Sequence, residues 1–364
     1  MTNKSNPILL ILGIPPPFGG GEILGETIVK KFKDNEKFRI YTYSRIRGNK
    51  STQGRASIGN ILFGFGHIIK CLGLILKLRP KKIFLSIPKN FGAFLRTAPI
   101  ILFASLMRTK VYGELAGAQF LFLNKGWKKT IGLFVLRRIY SIRFLGENIK
   151  KIHTKYKLQN PIVFSNGIQL PTDQTHKSIQ NQRPLHLLTV GALNRSKGTG
   201  RIIEAIALCR EKGLDITCTL IGEWNDPELK SDMNQFITKH KLNKQIHFTG
   251  LIKGEKKWDY FRSADILVHP TDWDGQPLTI LEAIGMGLAI ISTPVGAIPN
   301  TVDHLKNGIL LKKNTPKSLC EAISELYFDR KKLTQIMKYN QKDFNRRFTV
   351  EIYLENLSNW LQGV

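Results

Sequence analysis

The chain has 364 residues, of which 42% are hydrophobic and 23% charged, and its formal net charge is +28. This composition is that of a folded globular protein and excludes a collagen-like, low-complexity or disordered chain. The length exceeds what one hydrophobic core usually covers, so we expect two domains.

In the first half of the chain, short β-rich runs alternate with longer runs of helical periodicity. Such strict alternation predicts a parallel sheet with helices on both faces. The predicted strands are Ile8–Leu12, Arg39–Tyr43, Lys82–Ile87, Lys110–Leu115, Ile142–Leu145 and Ile162–Ser165, and the predicted helices are Glu22–Phe32, Ile58–Leu78, Phe91–Met107, Trp127–Tyr140 and Asn148–Lys157.

The alternation stops at the polar, proline-bounded segment 171–184 and then starts again. We interpret this segment as a linker between an N-terminal domain, 1–170, and a C-terminal domain, 185–343. The predicted fold class is α/β, with two tandem Rossmann-like doubly wound parallel sheets facing a cleft. The second domain's predicted strands are Leu185–Val190, Ile216–Ile221, Gln245–Phe248, Asp265–His269, Ala289–Ser292 and Ile309–Leu311, and its predicted helices are Thr199–Lys212, Pro227–Lys241, Glu255–Ser263, Thr279–Met286 and Pro316–Tyr327.

Positive charge is concentrated in the first half. Residues 1–180 contain 30 Lys and Arg against 7 Asp and Glu, a balance of +23, which leaves 25 and 20 of the 55 and 27 for the rest, a balance of +5. This asymmetry predicts an anionic membrane surface, a phosphate-bearing acceptor or nucleic acid as partner of the N-terminal domain. An acid-poor composition without a partner is the alternative. Nucleic acid is disfavoured, because no helix-turn-helix, zinc or RNA-binding aromatic pattern occurs.

The first residues do not have the pattern of a secretory signal, and the four cysteines lack metal-ligand or redox spacing. We therefore expect free thiols in a reducing cytoplasm. The apolar stretches 58–78 and 98–107 are interrupted by polar residues or too short to span a bilayer. We interpret both as helices with one side buried and the other facing a membrane.

The segment Thr271–Gly287, TDWDGQPLTILEAIGMG, combines the carboxylates of Asp274 and Glu282 with a helix start. Glu282 falls in an apolar helix, where a carboxylate needs a partner. A vicinal diol such as that of ribose is one such partner, and a salt bridge to Lys or Arg is the alternative. Asp274 and Gly275 precede the helix, whose first free N–H groups, at Leu278 and Thr279, suit a diphosphate. A diphosphate seat, a ribose clamp and a second carboxylate for the group attached to the diphosphate together predict a nucleotide sugar.

In each predicted domain, the loop after the first strand is a further candidate for ligand binding. Arg195 and Lys197, in VGALNRSKG at 190–198, are suited to neutralise a diphosphate leaving group, although solvated loop cations are the alternative. GGGE at 19–22 allows the backbone to approach a ligand closely. The GxGxxG fingerprint of dinucleotide folds is absent.

Together these segments resemble the retaining glycosyltransferases of family 4, also called glycosyl transferases group 1, which have the GT-B fold. The resemblance covers nearly the whole chain and implies a metal-independent transferase without a cofactor, acting on a nucleotide-diphosphate sugar. Its motifs, in chain order, are GGGE at 19–22, SNGI at 165–168, VGALNRSKG at 190–198, FTGLIKGEKKWDYFRSADILVHPT at 248–271 and DGQPLTILEAIGMGLAIISTPVGAIPNTV at 274–302.

The resemblance also implies roles for individual residues. Glu282 would bind the ribose hydroxyls and Asp274 would touch the donor sugar. The base would lie against Gly250–Leu251, and a C-terminal helix within 344–364 would pack back on the N-terminal domain. The diphosphate would be held by Arg195, Lys197 and the backbone of Gly20, Gly21, Leu278 and Thr279.

Three positions depart from the family pattern. Asp274 stands where a glutamate is usual, and Ala192 where an arginine is usual. Ala116, in GELAGAQF at 113–120, occupies the position at which the family usually has a histidine. That histidine lines the sugar site. Either Glu114 replaces this histidine, or the chain is a catalytically impaired nucleotide-sugar binder; Glu114 is alternatively a strand-end carboxylate with a structural partner. A GT-B nucleotide-sugar epimerase is a further alternative.

The function expected from these features is transfer of a sugar from a UDP- or GDP-sugar to a lipid-linked or saccharide acceptor. We expect it to serve bacterial surface polysaccharide or glycolipid synthesis. The expected location is cytoplasmic, peripheral on the inner face of the plasma membrane.

Overall fold

The computed structural model describes residues 7–17, 19–44, 58–124, 126–173 and 184–364. The chain divides into two compact units, the first comprising Met1–Asn166 with Tyr353–Val364 and the second Gly167–Ile352. The predicted linker 171–184 lies mostly outside the described residues.

In its described residues the first unit has a six-stranded parallel sheet of order β2-β1-β3-β4-β5-β6. The strands are β1 Ile8–Gly13, β2 Phe38–Tyr43, β3 Lys82–Pro88, β4 Lys110–Ala116, β5 Ser141–Phe144 and β6 Pro161–Val163. The helices of this unit are α1 Gly20–Phe32, α2 Ile58–Leu78, α3 Phe91–Leu106, α4 Trp127–Leu136 and α5 Glu147–His153.

The described residues of the second unit form another six-stranded parallel sheet, of order β12-β11-β10-β7-β8-β9. Its strands are β7 Leu185–Val190, β8 Ile216–Ile221, β9 Ile246–Gly250, β10 Ile266–His269, β11 Ala289–Ser292 and β12 Gly308–Leu310. Its helices are α6 Thr199–Glu211, α7 Pro227–Lys239, α8 Glu255–Ser263, α9 Leu278–Gly285, α10 Ile298–Thr301, α11 Pro316–Phe328 and α12 Arg330–Arg347, and α13 Val350–Gln362 runs into the first unit.

The central strands of the second sheet, β7, β8, β10 and β11, are buried on both sides. Leu187 and Leu188 are consecutive in β7, yet each belongs to a different core cluster. Such strands occur in parallel sheets that helices cover on both faces. The predicted α/β fold class of two Rossmann-like units is thus confirmed.

Some predicted helix boundaries are wrong. Trp127–Tyr140 was predicted as one helix, but α4 ends at Leu136, because Ile139 is buried and Tyr140 N–H already donates to the carbonyl of Val111 in β4 (2.8 Å). The four-residue helix α10 was not predicted.

The predicted C-terminal helix 344–361 is two helices. It breaks at Phe348, whose ring is fully buried and whose carbonyl accepts from Ile168 N–H at 3.0 Å. Thr349 pairs with Ile168 in an isolated bridge and offers its hydroxyl to the Ile352 N–H of α13. The Phe348 carbonyl thus accepts a hydrogen bond from Ile168, whereas in a continuous helix it would accept one from an N–H four residues later.

The four cysteines are free and buried. Among the described residues, no helix combines the length and apolar character needed to cross a bilayer.

Candidate active site

The centre of the second sheet is its topological switch point. β7 leads to β8 on one side, and β10 lies on the other. Ligands of open α/β sheets bind outside the carboxyl ends of strands at such a point. Here the loops after β7 and β10 are joined, because Asp272 N–H donates to the carbonyl of Ser196 at 2.8 Å.

Asp274 is the charged centre of this junction. Its Oδ2 lies 2.5 Å from Lys197 Nζ, the cation predicted for the diphosphate. His269 Nε2, on the last residue of β10, lies 3.2 Å from the same oxygen and donates to it, since a carboxylate only accepts. Burial alone would raise the pKa of Asp274, but the hydrogen bond from His269 and the charge of Lys197 together lower it to about 2. Asp274 is therefore ionised at neutral pH.

The side chain of Arg195 points to other acids than Asp274, although its backbone belongs to the loop after β7. Its guanidinium lies 3.2 Å from Asp226 and 3.7 Å from Asp232, and its side chain is 60% exposed. Asp226 is the N-cap of α7, where it accepts from Leu229 N–H. Of the two predicted diphosphate cations, only Lys197 contacts Asp274.

Glu282 lies in the middle of α9, and one of its two carboxylate oxygens has a hydrogen-bond partner in the described structure. Lys257 Nζ of α8 lies 2.7 Å from its Oε1. The other oxygen, Oε2, is buried and has no hydrogen-bond partner in the described structure. Burial raises the pKa of Glu282, and the ammonium of Lys257 opposes this rise. The salt bridge considered as the alternative to diol binding is present, but it uses one carboxylate oxygen only.

Two glycines allow the close backbone approaches at this edge of the sheet. A Cβ on Gly222 (φ +152°), after β8, would lie 1.7 Å from the carbonyl oxygen of Gly191, and one on Gly296 (φ +56°) would lie 1.9 Å from that of Asp274. No side chain fits in either space, and both φ values favour glycine. The backbone that carries Asp274 is thus fixed by a neighbouring glycine loop.

The other predicted donor-binding residues lie at the same strand ends. Gly250 ends β9, where its carbonyl accepts from Gly222 N–H at 2.9 Å, and Leu251 beside it is 49% exposed. Leu278 and Thr279 are the first two residues of α9, directly after Asp274–Pro277. Gly275, next to Asp274, accepts from Ala297 N–H.

Glu114 belongs to the first unit, in a cluster at the ends of β4, β5 and β6. Its Oε2 accepts from Arg143 Nη1 at 2.7 Å. Arg143 is fully buried and also donates to Asn166 Oδ1 (2.8 Å) and to the carbonyl of Phe164 (3.1 Å). The ring of Tyr353, from α13, lies 5.1 Å from its guanidinium. Glu114 is therefore a strand-end carboxylate with a structural partner, Arg143.

Ala116 is the last residue of β4. Gly20 and Gly21 are the first two residues of α1, which follows β1. A Cβ on Gly21 would meet no atom within 4 Å, so packing inside the chain does not require glycine there.

The sequence did not predict a place in these clusters for Lys257, His269 or Arg143. Arg143 was detectable, because it interrupts an apolar predicted strand and a buried cation must be paired. His269 ends a predicted strand beside the site, but its partner is set by the path of the next loop. Lys257 has no signal that distinguishes it from its neighbour Lys256. Within the described ranges, no three His, Cys, Asp or Glu side chains cluster as metal ligands would.

Residues 172–343 match the family described as Glycosyl transferases group 1, and these residues include the whole β7–β10 junction and Glu282. This segment, which makes up most of the second unit, belongs to the glycosyl transferases group 1 family.

Two proteins are similar to this chain in sequence and one solved structure is similar in fold. An uncharacterized glycosyltransferase of Methanocaldococcus jannaschii is 26% identical over 347 residues, 92% of both chains. A putative colanic acid biosynthesis glycosyltransferase of Escherichia coli K12 is 23% identical over 190 residues, 50% of this chain and 46% of the relative. The fold matches that of Anabaena HepE, solved in complex with UDP, with a TM-score of 0.73 and 15% identity over 98% of this chain and 100% of the other.

Proposed function

We propose that this glycosyltransferase takes a UDP- or GDP-sugar in its second unit and transfers the sugar with retention of configuration. The anomeric carbon–oxygen bond to the diphosphate breaks, and a bond from that carbon to an acceptor hydroxyl oxygen forms on the same face. The hydroxyl proton passes to the departing diphosphate or to solvent. The nucleoside diphosphate is the leaving group.

The observation that carries this proposal is the buried, unpartnered Oε2 of Glu282. An ionised carboxylate oxygen without a donor costs several kcal/mol of unfolding free energy, and a ribose hydroxyl supplies the missing donor. Lys257 leaves that oxygen free, because it binds only Oε1.

Lys197 and the start of α9 then hold the diphosphate. The ammonium supplies a positive charge, and the N–H groups of Leu278 and Thr279 lie at the positive end of the helix dipole. These groups take the charge-neutralising role that a metal has in other transferases, so we propose that the reaction needs neither metal nor cofactor. Arg195, now on Asp226 and Asp232, would join them only by leaving those carboxylates.

We further propose that the acceptor is lipid-linked or a saccharide and is bound by the first unit. The +23 balance of residues 1–180 supports a phosphate-bearing acceptor at an anionic membrane. The relative named for colanic acid biosynthesis supports a role in surface polysaccharide or glycolipid synthesis. The enzyme would then work in the cytoplasm, peripheral on the inner face of the plasma membrane.

Thermal unfolding with a panel of nucleotides and nucleotide sugars tests the donor proposal. We expect one UDP- or GDP-sugar to raise the melting temperature, since a ligand at 100 times its Kd stabilises the folded state by about 2.7 kcal/mol. Because HepE was solved with UDP, UDP-sugars are the first to test.

Glu282→Gln should remove this shift, whereas Glu114→Gln, at a carboxylate in the first unit, should keep it. A panel in which nothing stabilises the wild type, or an unchanged shift in Glu282→Gln, contradicts the proposal. Incubating the donor without acceptor distinguishes a transferase from an epimerase, which would release an isomerised nucleotide sugar.

A further inference from the structure

Helices α2, α3 and α4 of the first unit form one continuous layer, because α2 packs on α3 and α3 packs on α4. Of the 20 exposed large hydrophobic side chains in the described part of the chain, ten lie on these three helices. None of the three helices contains an acidic residue. A monomeric soluble protein rarely exposes so much clustered apolar surface without a partner.

One exposed stripe of α4 is apolar, beside the exposed polar side chains of Lys128, Lys129 and Thr130. Trp127, Ile131 and Phe134, spaced four and three residues apart, are 62%, 40% and 53% exposed. The opposite face of the helix, with Gly132, Val135 and Leu136, is buried in the unit. A helix with aromatic and aliphatic residues facing outward has the form of one that lies in a membrane interface.

Cations stand at both ends of this face. Lys128 and Lys129 follow Trp127, and Arg137 and Arg138 directly follow Leu136, the last residue of the helix. The guanidinium of Arg138 lies 3.5 Å from the centre of the Phe134 ring, so apolar and charged groups form one surface. No Asp or Glu occurs between Glu114 and Glu147. This pattern complements a surface with an apolar interior and anionic headgroups.

Beside α4 lies a cavity of about 390 Å³, with a second of about 640 Å³ next to it. Lys129 and Arg137 line both, and Lys155 lines the first. None of these three cations forms an ion pair with a described acidic side chain. Three like charges around one cavity repel each other, and an anion with several acceptor oxygens relieves that repulsion.

We propose that the outer faces of α2, α3 and α4 dock on an anionic phospholipid bilayer, and that the cavity lined by Lys129, Arg137 and Lys155 takes the phosphate of a lipid headgroup. Trp127, Ile131 and Phe134 then lie among the acyl chains near the headgroups. The inference rests on the proposed function in one respect, since a lipid-linked acceptor requires the enzyme to work at a bilayer.

Vesicle flotation tests the charge requirement. We expect the protein to float with vesicles of phosphatidylglycerol and phosphatidylcholine in equal amounts and to stay behind with phosphatidylcholine alone. Lys129→Gln, Arg137→Gln and Lys155→Gln combined should weaken partitioning about a hundredfold, since each cation near an anionic leaflet contributes about fivefold. The control is Lys312→Gln, Lys313→Gln and Lys317→Gln combined, which removes the same charge from exposed positions of the second unit. Equal loss in both variants would show that net charge alone drives binding and would overturn the proposal.

Fluorescence locates the inserted face. Brominated phosphatidylglycerol should quench the tryptophan emission of the wild type. Trp127→Phe should still bind vesicles but lose most of this quenching, whereas Trp273→Phe, at the other strongly exposed tryptophan of the described residues (57%), should keep it. Quenching that persists in Trp127→Phe places the contact elsewhere and contradicts the assignment.

A second copy of the chain is the competing occupant of this face. Light scattering should give the same mass for the lipid-free wild type and for Trp127→Ser, Ile131→Ser and Phe134→Ser combined. A wild-type dimer that this variant splits, without vesicle binding by either, would overturn the proposal. All α4 variants should keep the nucleotide-induced melting shift, so loss of membrane binding and failure of the donor proposal are separate outcomes.

Discussion

Lys257 Nζ lies 2.7 Å from Glu282 Oε1, while the second oxygen of the same carboxylate is buried without a partner in the described structure. The lysine thereby stabilises the ionised form of a buried acid and leaves half of its hydrogen-bonding capacity for a ligand. We propose a positioning role for Lys257, which contacts Glu282 and would act on the proposed donor only through that carboxylate.

This pairing predicts a pH-dependent stability defect in Lys257→Met. Without the ammonium, the pKa of Glu282 rises further above its usual value, and the ionised carboxylate costs roughly 2 kcal/mol of unfolding free energy at neutral pH. Since a raised pKa favours the protonated form, the cost should shrink as the pH falls and Glu282 gains its proton. Thermal unfolding from pH 8 to pH 5 measures this. Lys256→Met, at the exposed neighbouring lysine, should show no pH-dependent difference from the wild type.

Asp274 predicts the opposite dependence. Its pKa falls from 3.8 to about 2 on folding, so the ionised carboxylate stabilises the folded state. The contribution, about 2 kcal/mol, is fully present above about pH 4 and is lost as the pH falls to about 2. The urea-unfolding free energies of the wild type and Asp274→Asn should therefore differ at neutral pH and converge in acid. A gap that stays constant with pH would contradict the ion pair with Lys197.

Gly21 and Gly92 occupy equivalent positions in two different helices, so their alanine variants can be compared directly. Each is the second residue of its helix, and a Cβ on either would meet no atom within 4 Å. Replacing glycine by alanine in a helix adds about 0.5–1 kcal/mol of stability, so both alanine variants should fold at least as well as the wild type. If the backbone at Gly21 approaches the donor, only Gly21→Ala should weaken the nucleotide-induced melting shift. Equal shifts in the two variants would remove Gly21 from the site.

Arg143 predicts a large loss of stability. Arg143→Met leaves the carboxylate of Glu114 and the amide oxygen of Asn166 without this donor, at a cost of about 3–5 kcal/mol for a broken buried pair. Lys30→Met, in the exposed pair with Glu26, should cost less than about 0.5 kcal/mol. Urea unfolding measures both. Adding Glu114→Gln to Arg143→Met should cost less than the two single changes summed, because the carboxylate has already lost its partner.

Ala116 separates an active enzyme from an impaired one. We expect Ala116→His to change the rate of sugar transfer less than tenfold, because the proposed donor contacts lie in the second unit. An initial-rate assay with the donor found by thermal unfolding measures this. A gain of a hundredfold or more would indicate that the natural chain is an impaired nucleotide-sugar binder.

Most of the fold was predictable from the sequence. β7, β8, β11, α2 and α8 have the predicted bounds, because apolar periodicity reports which residues a sheet or helix buries. The break at Phe348 was not predictable, since it arises from a hydrogen bond to Ile168, about 180 residues earlier in the chain. Local periodicity contains no record of such a distant partner.

The site was predictable to the level of segments. The sequence indicated that Lys197 follows the first strand of its domain and that Asp274 precedes a helix, and in the structure the two form an ion pair. It did not indicate that Arg195 pairs with the acids of α7, because side-chain partners depend on loop paths and rotamers. Lys257 was missed for the same reason.

The bridge between Ile168 and Thr349 has a consequence for engineering. The segment 167–352 is an uninterrupted insertion in the host made of 1–166 and 353–364, and its two ends lie side by side. A foreign insert with equally close ends can replace it through two splice points without lengthening either junction. Such chimaeras would exchange the second unit, with its proposed donor site, while keeping both termini of the recipient protein.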